Sequence, residues 1–202
     1  MIGTRVVQSP INLKRLGQAR TARLEACPHG QGEGQELKFV LIDRITELEP
    51  GKRIVAHKAL SLAEEYLADH FPTFPVLPGV LMLEALTQAS AWLVREALDF
   101  APSVIVLKSA RNVTYKSFLA PGRTLEVESV CKQLDAETSS FTARGCVEQR
   151  EIVKARLTLR HLTLADSDQA LAESDGRIRS HMRMLFDLLR GGRAAHAELG
   201  CA

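Results

Sequence analysis

In the stretch DHFPTFPVLPGVLMLEALTQ, residues 69–88, a histidine and a glutamate stand on either side of a proline-punctuated turn. His70 carries the side chain that takes or gives a proton near neutral pH without large tuning. Glu84 can serve as a proton donor where its surroundings limit access to water. Between them, Pro78 followed by Gly79 suits a helix start, because the first helical N–H groups need no partner within the helix. The N–H groups at Gly79, Val80 and Leu81 are then open, and the missing side chain at Gly79 lets a substrate oxygen come close. A base, an acid and an oxyanion holder thus share one segment. The plain alternative is that a loop histidine is a surface residue and a helical glutamate a solvated one. Against the second half of that alternative, Leu83, Ala85 and Leu86 leave Glu84 no hydrophilic side to use. Burying a carboxylate without partners costs several kcal/mol, and Gln88, one turn on, is placed to supply one.

The elements that must position these residues follow from the same punctuation. Pro72, Pro75 and Pro78 forbid regular helix before Pro78, so a helix is predicted from Gly79 to Leu98. Before it lie an apolar run at 37–42, a Pro50-Gly51 turn and a strand at 52–61. After it the periodicity changes to strands at 103–109, 111–119, 123–134, 138–149 and 151–163. Pro121-Gly122 and the charged segment from Glu148 to Glu151 are expected to mark two hairpin turns. One buried helix followed by consecutive strands indicates an α+β arrangement, an antiparallel sheet packed around a helix. In the tail, Leu171, Ile178, Met182, Leu185, Phe186 and Leu189 recur at helical intervals with Arg177, Arg179 and Arg183 between them. Docking on its own core is the plainer expectation for that helix, with a second subunit or an acidic partner as the others.

With 202 residues, the length suits one well-cored domain with extensions. The expected organisation is a basic arm and linker over 1–36, a folded domain over 37–165 and a helical tail over 166–202. A formal charge of only +2 gives no reason to expect bulk nucleic-acid binding. Cys27, Cys131, Cys146 and Cys201 are scattered without metal-ligand spacing and read as reduced thiols of a cytoplasmic protein. The longest apolar stretch, 74–94, is interrupted by prolines, Glu84 and Gln88, so no membrane span is expected.

The pattern HFPxxPxxPGVLxxEAxxQ resembles the FabZ-type (3R)-3-hydroxyacyl-[acyl-carrier-protein] dehydratases. Asp43-Arg44, Glu49-Pro50-Gly51-Lys52 and Ala120-Pro121-Gly122 extend the resemblance over roughly residues 37 to 163. It implies the hotdog fold, a sheet wrapped round one central helix. It implies too that His70 removes the proton beside a thioester carbonyl while Glu84 protonates the departing 3-hydroxyl. Gly79, with Val80 and Gln88, would hold the substrate, and Leu81, Met82 and Trp92 would line an acyl tunnel. His70 and Glu84 would meet across a homodimer, alone or as a trimer of dimers. No metal and no cofactor are implied; the partner is an acidic acyl carrier protein, for which Lys108, Arg111, Lys116 and Arg123 could form a landing surface. Asp69 and Thr73 depart from the glycines that usually flank the family's H-F-P. The competing readings are a hotdog thioesterase, with Glu84 directing water at the thioester carbon, and a noncatalytic acyl- or carrier-binding hotdog subunit.

Overall fold

A computed structural model describes residues 39–69 and 73–191; the expected basic arm and His70 lie outside these described residues. In chain order come β1 (Arg44–Glu49), β2 (Arg53–Ala59), α1 (Tyr66–Asp69), α2 (Gly79–Ala97), β3 (Val104–Tyr115), β4 (Thr124–Leu134), β5 (Thr138–Val147), β6 (Arg150–Leu162) and α3 (Ala172–Leu189). The strands form one sheet in the order β1-β2-β4-β5-β6-β3, every neighbouring pair antiparallel.

Strict alternation builds the inner face. In β4, Leu125, Val127 and Ser129 are buried between more exposed neighbours, and in β6, Val153, Ala155, Leu157, Leu159 and His161 repeat the pattern. α2 answers with Met82, Ala85, Leu86, Ala89 and Leu93, one helical stripe in the same core cluster. Each large aliphatic side chain fully buried in this layer stabilises the fold by about 2 kcal/mol. Packing is close enough to demand glycine at one point: a Cβ on Gly145 would stand 2.6 Å from Val153 Cγ1 and 2.9 Å from Leu125 Cδ1. The sheet wrapped around α2 is the hotdog arrangement.

Three details differ from the sequence reading. The stretches 103–109 and 111–119 are one strand, β3, whose two register shifts and left-handed Asn112 (φ 53°) break the alternation without breaking the pairing. Pro121-Gly122 does turn the chain, with Gly122 at φ 81°, but β3 pairs with β6 at the far edge and β4 with β2 and β5. The turn therefore begins a crossing and closes no hairpin; local turn chemistry fixes a reversal, not a partner. β1 carries little sequence signal: RITELE buries only Ile45, half-buries Leu48 and is charged or polar at its other four positions, as befits an edge strand. The second hairpin stands as expected, with Glu148 and Gln149 both left-handed (φ 49° and 67°) between β5 and β6.

The tail docks on its own core. Phe186 of α3 packs on Trp92 and Phe100 with ring centroids 5.9 and 5.4 Å away. Arg179 Nε donates to the Ala101 carbonyl at 2.8 Å, and Arg183 Nη1 pairs with Asp99 at 2.9 Å. The buried Asp175 carboxylate accepts from the N–H groups of Leu164 and Ala165.

Candidate active site

The loop that holds the histidine in sequence returns to the core through Val76 and Leu77, both buried, and Leu77 N–H donates to the Leu119 carbonyl at 2.9 Å. Pro78 then caps α2 with an extended backbone (ψ 138°) and no side-chain bond. Its carbonyl accepts from Leu81 N–H at 2.9 Å and from Met82 N–H at 3.1 Å. The Leu81 N–H, expected to be open, is thus engaged. Among the described residues, the N–H groups of Gly79 and Val80 have no acceptor. This leaves a helix terminus with two free donors and the positive end of the helix dipole behind them.

Glu84 lies half-buried on the second turn, and Gln88 Nε2 donates to its Oε1 at 2.9 Å. The rest of the Gln88 amide is committed as well: Nε2 donates to the Phe39 carbonyl at 3.1 Å, and Oε1 accepts from Leu41 N–H at 2.9 Å. A backbone N–H can only donate and a carbonyl only accept, so these two groups fix which way the amide faces. Gln88 consequently has no amide hydrogen left over. It joins the segment before β1 to Glu84 and aims the carboxyl group.

The remaining expected residues divide by exposure. Val80 is open to solvent and Leu81 half-buried, whereas Met82 sits in the core. Trp92, two turns beyond Glu84, is buried against Phe186 and lies 6.0 Å beneath the Arg95 guanidinium carbon. Sequence reasoning missed Tyr115. Its ring stands 3.3 Å from where a Cβ on Gly79 would lie, and burial pushes its phenol above the ordinary value. Only its position at the end of a strand marks it in the sequence, and nothing local ties it to a helix start. Phe74 and Phe118 pack edge to face at 5.8 Å and remain largely exposed. Of the four expected cations, Arg123 pairs with Glu148 at 2.9 Å and Lys116 with Glu151 at 2.5 Å. Lys108 and Arg111 are exposed and carry no ion pair among the described residues.

A half-buried acid held by an amide, one turn in from two open N–H groups, can deliver a proton beside a site that stabilises negative oxygen. Comparison with known proteins gives that chemistry a context. A family model described as a FabA-like domain matches residues 35–156, which leaves α3 outside the match. Over 141 residues the chain is 34% identical to 3-hydroxyacyl-[acyl-carrier-protein] dehydratase FabZ of Rickettsia typhi, covering 69% of this chain and 93% of that protein. The protein of the same name from Albidiferax ferrireducens is 39% identical over 123 residues, 59% of this chain and 82% of that one. Among solved structures, a chain of the dehydratase heterocomplex ApeI:P from Xenorhabdus doucetiae aligns with a TM-score of 0.53 at 19% identity. That alignment covers 65% of this chain and 89% of that one, a likeness of fold.

Proposed function

The chain belongs to the FabA-like domain family, and on that footing we propose that it eliminates water from (3R)-3-hydroxyacyl thioesters carried on acyl carrier protein, yielding trans-2-enoyl thioesters for fatty-acid or related lipid synthesis. The reaction balances without a redox carrier or a second substrate. His70 accepts the proton from the carbon next to the thioester carbonyl, and the electron pair moves onto the carbonyl oxygen. The N–H of Gly79, with Val80 beside it, meets that oxygen as charge develops. The pair then returns to form the double bond while the C3–O bond breaks. Glu84 gives its proton to the departing hydroxyl, and water leaves.

The observation that carries this reading is the bond from Gln88 to Glu84 Oε1 at 2.9 Å. Because that oxygen accepts, the transferable proton belongs on Oε2, and Gln88 sets the direction in which it is offered. The acyl chain runs past Leu81, with Met82 and Trp92 backing it from the core side. We assign the carrier's landing surface to Lys108 and Arg111, which carry no ion pair among the described residues, so that an acidic partner gains most there. A second copy of the chain completes the site, His70 and Glu84 coming from opposite subunits. Exposed Phe74, Val80, Tyr115 and Phe118 near the start of α2, and β3 as an edge strand, support that pairing.

Hydration of a crotonyl thioester, the reverse reaction, tests the proposal. The purified protein is expected to consume the enoyl absorbance, and Glu84→Gln to do so about 100-fold or more slowly. Release of free thiol in place of hydration would point instead to hydrolysis and overturn it.

A further inference from the structure

Lys58, the next-to-last residue of β2, has its side chain inside the protein, 4% exposed, and takes no part in the chemistry above. An ammonium taken out of water is tolerated only when it is paired. Its Nζ lies 2.5 Å from Glu64 Oε1 and 3.9 Å from Asp43 Oδ2. Asp43 is itself held, accepting the Ala59 N–H at 2.6 Å. We propose that Lys58, through Glu64, is a positioning residue for the loop that bears His70, an inference that rests on His70 being the proton acceptor of the proposed reaction.

The geometry runs from the ion pair to the site in short steps. The Glu64 carbonyl accepts from Leu67 N–H at 3.0 Å, and Leu67 is buried within α1. α1 ends at Asp69, the residue before His70. Both feet of the loop stand on one strip of chain: Leu60 exchanges bonds of 3.0 and 2.8 Å with Arg123 and Gly122, and Leu77 bonds to Leu119 at 2.9 Å. Of the described residues between those feet, Glu64 alone carries an ionic tie, and it runs to Lys58 in β2. A buried ion pair is a poor source of stability, since apolar replacements of similar volume often do as well, but it fixes direction where an apolar contact lets a segment slide. A displacement of about 1 Å in a reacting group is worth on the order of 100-fold in rate, so such a tie bears on turnover directly.

The full-length protein is tested as Lys58→Met, Lys58→Arg and the double variant Lys58→Met/Glu64→Leu, by crotonyl-thioester hydration, thermal melting and amide exchange at Leu67. Lys58→Met is expected to lower kcat by about 10-fold to 100-fold with KM within about twofold, and Lys58→Arg to restore most of the rate. The double variant regains the wild-type melting temperature and remains slow. Return of both melting temperature and kcat in the double variant would overturn the proposal by reducing Lys58 to a matter of stability. The exchange measurement is independent of activity: Leu67 is expected to lose about tenfold or more of its protection in Lys58→Met. Unchanged protection sinks the anchoring whatever the kinetics show. Loss of protection in a protein without any wild-type hydration instead removes the assigned reaction and leaves the anchoring of α1 standing.

Discussion

The Gln88 amide reaches Glu84, Phe39 and Leu41 at once, so one side chain couples the acid to the chain segment that precedes the sheet. Replacing it with methionine keeps the volume and removes all three bonds. Leaving Leu41 N–H unpaired costs about 1–3 kcal/mol, and the freed carboxyl loses its direction. Gln88→Met is therefore expected to lower both the denaturation midpoint and kcat, and an unchanged kcat would mean that Glu84 needs no aiming. Gly79 makes the opposite kind of contribution, through what it lacks. An alanine there places a Cβ 3.3 Å from the Tyr115 ring, and in the proposed reaction it would crowd the substrate oxygen that meets the Gly79 N–H. Gly79→Ala is expected to reduce kcat/KM by about 100-fold, the value of one oxyanion donor. Adding Tyr115→Ala relieves the contact and restores the melting temperature without restoring the rate; recovery of both would show that the loss came from crowding alone.

Among the elements, the β5–β6 hairpin carries a titration of its own. His161 is buried, its Nδ1–H donating to the Ala136 carbonyl at 3.1 Å and its Nε2 accepting from Ser139 Oγ at 2.8 Å. Burial lowers its pKa below the ordinary value, with the Ala136 bond and Asp135 pulling the other way. The unfolded chain therefore takes up the proton first as the pH falls. Stability from this group is full above about pH 6.5 and declines below it. The melting temperature is expected to drop from pH 7 towards about pH 5, and His161→Gln to flatten that slope; an equal slope in the variant would place the titration elsewhere. This histidine looked ordinary in the sequence because only the pairing of β5 with β6 brings Ser139 near it. The same reason separates what was legible from what was not. α2 could be read to within one residue, since prolines, a glycine and a continuous apolar stripe all act locally. The bond from Gln88 to Glu84 was legible for the same reason, as a helical i to i+4 pair. The unity of β3, the partners of the strands beside Pro121-Gly122, and Tyr115 on Gly79 are decided by contacts between distant segments, and no local pattern encodes them.

At the scale of the molecule, α3 lies beyond the residues matched to the family and is fastened to the far end of α2. Burial lowers the Arg95 guanidinium to about 10, and it donates to the Pro102 and Ser103 carbonyls at the turn that follows α2. α3 covers this same end of the core with Phe186. Phe186→Ala is expected to destabilise the protein by about 3–5 kcal/mol, read from the denaturation midpoint, with kcat little changed in the fraction still folded. A matching collapse of kcat at full folding would give α3 a part in turnover. In the proposed reaction two copies of the chain each lend one half of the acid–base pair. Co-expression of differently tagged His70→Ala and Glu84→Gln chains, followed by isolation of the mixed dimer, reads it out directly. Each parent homodimer is expected to be about 100-fold or more slower than wild type, and the mixed dimer, with one intact site of two, to hydrate a crotonyl thioester at about half the wild-type rate. A mixed dimer as slow as its parents would contradict the shared site.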